Sequence, residues 1–183
     1  NAQELFESYL QSVFANPGKD WEEKRLQDVC DIESKLIDPR EFEFLNLIHV
    51  GAANIEAKTG KLFDLKTAKE EKLISGKFEF DDSVVLYSKI RPYLMKVVRP
   101  DFSGLCSADI YPLLPRSKIM TRDYLFYLLL TPFFTKFAIK GSARAGMPKV
   151  NREHLFSFAF FLPPLPEQQS IVTKLDALSA ETK

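Results

Sequence analysis

FLPPLPEQQSIVTKLDAL, residues 161–178, runs from the end of an apolar strand through three prolines into a helix. Pro166 suits a first helical turn, where its missing N–H is no loss, and Glu167 sits at the positive end of the helix dipole. Ile171, Leu175 and Leu178 follow at spacings of four and three, drawing one apolar stripe. The other end of the chain mirrors this pattern. AQELFESYLQSVF (residues 2–14) repeats apolar side chains at three-to-four spacing, and Asn16-Pro17-Gly18 stops the helix. Two amphipathic helices, the second still running at Lys183, predict coiled-coil-forming arms at both ends. Their packing faces are Leu5, Phe6, Tyr9, Leu10 and Val13 on the first arm, and Ile171, Leu175 and Leu178 on the second. Both faces are expected to seek partner helices; the alternative is ordinary helices packed on their own domain. The chain opens on Asn1 rather than methionine, which suggests a piece of a longer protein.

Between the arms the pattern is mixed. Residues 25–32, 44–50, 83–88, 94–98 and 109–114 read as strands, rich in β-branched and aromatic side chains and bounded by turn residues. Residues 121–130 read as a helix capped by Thr121, with Asp123 in its first turn. Thr131-Pro132 opens a second short helix to about Ile139, and KGSARAGMP (residues 140–148) is a glycine-bearing loop. Asn151 caps a short turn before an apolar strand over 156–162. Strands and helices do not alternate regularly, so the class is α+β: one globular domain over residues 16–161, with arms over 1–15 and 162–183. A chain of 183 residues, 45% hydrophobic and with sixteen phenylalanines, fills one sizeable core and is not disordered. No apolar run reaches the ~18 residues that span a bilayer, and no signal peptide is expected. A cytoplasmic protein with two reduced thiols is expected.

The motifs of most enzyme classes are missing. Seven glycines are scattered, forming neither GxGxxG nor GxxxxGK. Leu162-Pro163-Pro164-Leu165 lacks the polar first residue and aromatic last residue of the amino-methyltransferase loop, and no GxSxG elbow occurs. Asp81-Asp82 reads as a solvated turn. Cys30 and Cys106, with His49 and His154, offer no metal-ligand spacing, so no metal site is expected. The two histidines read as packed or surface residues. No catalytic residue is assigned.

Net charge is zero, but its distribution is uneven. Residues 86–152 hold twelve basic and three acidic side chains, leaving thirteen basic against twenty-two acidic elsewhere. A split of this size can place a positive face on a neutral molecule. Two stretches concentrate it. In SKIRPYLMK (residues 88–96), Pro92 biases Arg91 towards an extended backbone, and strand alternation would put Lys89, Arg91 and Tyr93 on one face. Lys96 closes the stretch. In GSARAGMPKVNR (residues 141–152), small residues permit close backbone approach to a duplex. Arg144, Lys149 and Arg152 supply charge there, while Ser142 and Asn151 can donate to phosphate or read adenine. Lys140 precedes it, and Ser107, in the turn over residues 104–108, is a weaker candidate. The competing readings are a solvated basic edge and a flexible surface loop.

SKIRPYLMK followed by Ser107, then KGSARAGMPKVN, then FLPPLPEQQSIVTKLDAL, resemble in that order the specificity subunit of type I restriction-modification systems. Residues 6–21 also look like a conserved helix running into a recognition domain. The resemblance covers nearly the whole chain, except residues 30–80, where variation with the target is expected. It implies a non-catalytic subunit with two globular recognition domains held apart by antiparallel helices, each reading half of a bipartite site. It further implies double-stranded DNA, methyltransferase subunits and a translocating restriction subunit as partners. S-adenosylmethionine and ATP would be used by those subunits, with no cofactor bound here. This sequence has one recognition domain and an incomplete second helix, which departs from the full pattern. Two other classes compete: a helical interaction adapter without DNA contact, and an autonomous methyltransferase or nuclease.

Overall fold

The computed structural model describes residues 1–143 and 146–182. Its helices are α1 (Ala2–Ala15), α2 (Leu26–Val29), α3 (Ala68–Glu71), α4 (Arg122–Leu129), α5 (Pro132–Ser142), α6 (Arg152–Phe156) and α7 (Leu165–Glu181). Its strands are β1 (Glu22–Arg25), β2 (Cys30–Ile32), β3 (Leu36–Ile37), β4 (Ile48–Val50), β5 (Lys66–Thr67), β6 (Lys77–Phe80), β7 (Val85–Ser88), β8 (Val97–Val98), β9 (Gly104–Cys106), β10 (Ile110–Pro115) and β11 (Ala159–Leu162). They form a two-stranded ribbon, β1-β11, a four-stranded sheet in the order β2-β10-β7-β8, and a five-stranded sheet in the order β3-β6-β9-β4-β5. Pairing is antiparallel except between β4 and β9. The fold is α+β, as the sequence implied. Among the described residues, no helix is long and apolar enough to cross a membrane.

The four-stranded sheet is buried on both faces, which is why its strands read as continuous apolar runs rather than as alternation with polar residues. Val85, Tyr87, Val97, Tyr111 and Leu113 enter one core, beside α4 and the two arms. The intervening Leu86, Val98 and Ile110 enter a second, where they meet Val50, Phe78, Phe80 and Cys106 of the five-stranded sheet. The period of two thus sorts neighbouring residues between two cores. Helix α4 is apolar all round and correspondingly central: every residue from Tyr124 to Leu130 is buried. Caps foreseen in the sequence are present. Thr121 accepts from the Tyr124 N–H at 3.1 Å, Thr131 from Phe134 at 3.1 Å, and Asn151 from His154 at 2.8 Å.

Helices α1 and α7 pack together and run antiparallel. Phe6 meets the Tyr127 ring at a tilt, and the Tyr127 hydroxyl donates to Asp176; Tyr9 lies under the Lys174 ammonium at 4.4 Å, and Phe14 meets Tyr124, which senses Glu167. Ascending numbers on α1 therefore face descending numbers on α7. Leu10, Ile171 and Leu175 are buried in the chain's own core, Phe6, Tyr9 and Val13 pack against it, and Leu178 is half-buried. The expectation that these stripes seek outside helices is corrected on this point: they close largely on each other and on α4. Leu5, 59% exposed, is the exception.

Four local expectations also fail. Residues 25–32 are not one strand. Leu26–Val29 turn helically because the Asp28 carboxylate accepts from the Arg25 N–H at 2.8 Å, and a helical turn sends both Leu26 and Val29 into the core. Residues 44–50 keep only β4, since Phe42–Phe44 form a 3-10 turn. Residues 94–98 likewise reduce to β8 after a 3-10 turn over Pro92–Leu94. Helix α5 extends through Ser142, absorbing Lys140 and Gly141 from the supposed loop.

Candidate nucleic-acid interface

Strand β7 ends at Ser88, and the backbone then meets a segment sixty residues further along the chain. The Arg91 N–H donates to the Pro148 carbonyl at 3.0 Å, and the Val150 N–H to the Lys89 carbonyl at 2.8 Å. An antiparallel bridge between Ile90 and Lys149 lies between them. The Tyr111 hydroxyl, from β10, donates to the Val150 carbonyl at 2.9 Å and fastens the seam from below. The two basic stretches singled out in the sequence are therefore stitched into one surface. A cleft of 300 Å³ opens on it, lined by Lys89, Tyr111, Lys149, Asn151 and the last turn of α5 with its following residue. A larger cleft of 670 Å³ lies elsewhere, against Phe14, Pro17, Phe133 and Phe161, and is mainly apolar.

Among the described residues, Lys89 and Arg152 act on Tyr111, and Lys149 acts on Lys89. The Lys89 ammonium sits 5.2 Å from its ring centroid, a cation–π arrangement. Burial pulls Lys89 below the ordinary ammonium range; Asp109 opposes that pull, and Lys149 and Arg152 add to it. Burial raises the Tyr111 phenol, against the influence of Arg152. Lys149 pairs with Asp109 at 3.4 Å. Asp109 also fixes the seam through its backbone, since its carbonyl accepts from the Lys89 N–H at 3.1 Å.

The remaining candidates divide. Arg91 and the half-exposed Tyr93 are on the surface, but not through strand alternation with Lys89. Arg91 adopts a left-handed backbone, φ 47°, not the extended one that Pro92 favours, because its N–H is tied to Pro148 and its carbonyl accepts from Leu94. The 3-10 turn carrying Tyr93 packs against α5, whose exposed Lys140 lies one residue before the cleft. Arg152 is exposed at the start of α6. Asn151 is exposed too, but its side-chain oxygen is engaged in capping α6.

Three candidates serve the fold. Ser142 is buried, and its hydroxyl donates to the Ile139 carbonyl at 2.8 Å, so it is not presented to a phosphate. The Lys96 ammonium donates to the Ala52 carbonyl at 2.8 Å, pinning the loop after β4. Ser107 accepts from the Asp109 N–H at 3.1 Å, capping the turn between β9 and β10. Arg144 lies outside the described residues. Both histidines are packed. His49 is buried with Nδ1 2.8 Å from Glu71, and His154 stacks on Phe137 at 4.0 Å with Nε2 2.7 Å from the Phe137 carbonyl. Burial raises the thiols of Cys30 and Cys106, the latter to about 12, so neither is a ready nucleophile.

Sequence reading missed Tyr111 and Asp109 as members of this surface. Both sit in a strand and turn whose residue types carry no nucleic-acid signal. It also missed Gln168, which is fully buried. Its amide oxygen accepts from the Thr121 N–H at 2.9 Å, and its nitrogen donates to the Ile119 and Pro163 carbonyls at 2.8 and 2.9 Å.

The sequence profile of the type I restriction modification DNA specificity domain matches residues 18–183. The type I restriction enzyme EcoDI specificity subunit of Escherichia coli is 42% identical over 160 residues, which is 87% of this chain and 35% of that protein. The crystal structure of the HsdS subunit from Thermoanaerobacter tengcongensis matches with a TM-score of 0.67 at 23% identity, covering 98% of this chain and 43% of that one. A chain from a structure addressing complex assembly and conformational transition of the type I R-M system gives 0.71 at 22% identity, covering 98% and 44%. The type I S subunit from M. genitalium gives 0.61 at 10%, covering 91% and 41%. At these identities the solved structures establish likeness of fold. The chain spans less than half the length of each of these relatives.

Proposed function

The chain belongs to the type I restriction modification DNA specificity family, and from that premise we propose that it reads one half of a bipartite DNA target and directs separate methyltransferase and restriction subunits there. The observation that supports this most strongly is the seam between residues 89–91 and 148–150. It brings Lys89 and Arg152 to Tyr111 and lines the same cleft with Lys149, with Arg91, Tyr93 and Lys140 on neighbouring segments. Cations on a face built from fixed backbone suit phosphate contact, and arginine on such a face suits bidentate pairing with guanine. In this reading the chain is not an enzyme. S-adenosylmethionine and ATP are used by the partner subunits, and the paired arms α1 and α7 serve as spacer and docking element.

The test is selection of duplexes from a random pool by the full chain at two salt concentrations. An enriched motif, with retention that falls steeply as salt rises, is the expected result. Lys89→Ala or Arg91→Ala should lower that retention. Absence of enrichment and of salt-dependent retention, with methyltransferase subunits also present, would refute the reading and favour the helical adapter. The adapter has less to recommend it, because it leaves the basic seam between residues 89–91 and 148–150 without a role.

A further inference from the structure

Among the described residues, one carboxylate stands inside the basic cluster. Asp109 Oδ1 is 3.4 Å from Lys149 Nζ, with the two side chains 44% and 37% exposed. Its charge reaches both Lys89 and Tyr111. The Asp109 backbone is fixed independently, by Ser107 Oγ on its N–H and by the Lys89 N–H on its carbonyl. The carboxylate can therefore move without unravelling the turn.

Stability does not account for its position. An ion pair this exposed contributes little to folding, so the site would be nearly as stable with a neutral side chain. A carboxylate among three cations on a duplex-facing surface has a different consequence. It repels every phosphate alike, and so opposes the sequence-independent attraction that dominates non-specific binding. It also holds the Lys149 ammonium until a phosphate takes its place.

We propose that Asp109 is a specificity-determining residue: its carboxylate holds Lys149 in the free protein and yields to a phosphate only when the whole face is seated on its target. Attraction to non-target DNA is suppressed, while target binding, in which the pair is already open and the carboxylate turned to solvent, is affected less. The inference rests on the DNA-recognition reading above.

Wild type, Asp109→Asn and Asp109→Glu, each as the full 183-residue chain, are titrated with two short duplexes. One carries the motif that wild type selects from a random pool, and the other is its scramble. Asp109→Asn should bind the scramble about threefold more tightly, the effect of removing one unit charge ~7 Å from a phosphate in water. Its target affinity should change less, so the target-to-scramble ratio falls, and the gain should fade at high salt. Asp109→Glu should keep the wild-type ratio. An unchanged ratio in Asp109→Asn overturns the inference. So does equal weakening on both duplexes, which would mark a purely structural role; thermal unfolding of each variant shows whether the fold is intact. Wild type that retains neither duplex refutes the recognition reading and the inference with it. Wild type that selects a motif while Asp109→Asn matches its ratio refutes the inference alone.

Discussion

Replacing Gln168 by alanine removes three hydrogen bonds made by a fully buried side chain, one of them buried throughout and two part-buried. The Thr121 N–H loses its acceptor, and the Ile119 and Pro163 carbonyls lose a shared donor. Each backbone group left buried without a partner costs about 1–3 kcal/mol, partly relieved where water enters the vacated space. The expected loss is ~3–5 kcal/mol. For a chain of this size that lowers Tm by roughly 6–20 °C, at about 2–4 °C per kcal/mol. The adjacent Gln169 is the internal control. It is exposed, with its amide 3.5 Å from Thr173 Oγ1, and Gln169→Ala should fall within about 0.5 kcal/mol of wild type. Gln168→Glu adds a sign test. A carboxylate can accept from Thr121 but repels the two carbonyls, so burial raises its pKa above the unfolded value of about 4.3. Its stability relative to wild type should then be best below that pH and fall as the pH rises. Urea unfolding of the four proteins at acidic and neutral pH measures all of this. A cost under ~1 kcal/mol for Gln168→Ala, or one equal to that of Gln169→Ala, would refute the argument that this glutamine joins α4 to α7.

Gly141→Ala would drive a methyl group to within 1.9–2.3 Å of the His154 ring; displacing that ring from Phe137 should outweigh the helix-propensity gain and cost about 1–3 kcal/mol in thermal unfolding. Lys89→Ala should weaken binding to all duplexes and lower the salt slope by about one, whereas Lys96→Ala, whose ammonium is spent on the Ala52 carbonyl, should leave both near wild type in the same titration. Burial holds the His49 pKa below its ordinary value despite Glu71, so the unfolded chain takes up the proton first. Stability should therefore fall as pH drops through about 6.5, with a slope that His49→Leu flattens in pH-dependent denaturation.

Much of the fold was legible because local chemistry and tertiary packing agree at the decisive places. Thr121, Thr131 and Asn151 are short polar side chains that cap the helices following them, and Pro166 opens α7. Tyr124–Leu130 is uniformly apolar because it is surrounded on all sides. The failures occur where a distant contact overrode a local preference. Residues 25–32 have strand composition, but Asp28 reaches back to Arg25 and turns the chain. Arg91 should be extended before Pro92, but its N–H donates to the Pro148 carbonyl and its carbonyl accepts from Leu94, which sets its backbone otherwise. In each case one or two hydrogen bonds suffice, since the preference they oppose is itself only ~1–2 kcal/mol.

The site was legible only as ingredients. A charge count over residues 86–152 finds the cations but cannot tell which of them are already engaged. Lys89 and Lys96 stand seven residues apart with the same chemistry. The first rests on a tyrosine ring at a seam of two segments, and the second is tied to a carbonyl on another loop. What separates them is Tyr111, reaching from β10 to residue 150, and that contact spans thirty-nine residues. The same distance hides Asp109, which a tally subtracts as one negative charge. Its position beside Lys149 makes that charge act on the cluster itself, where one unit in four alters the field far more than one in fifty does. Net charge bounds what such a protein can attract, but the discrimination between targets has to reside in placements of this kind.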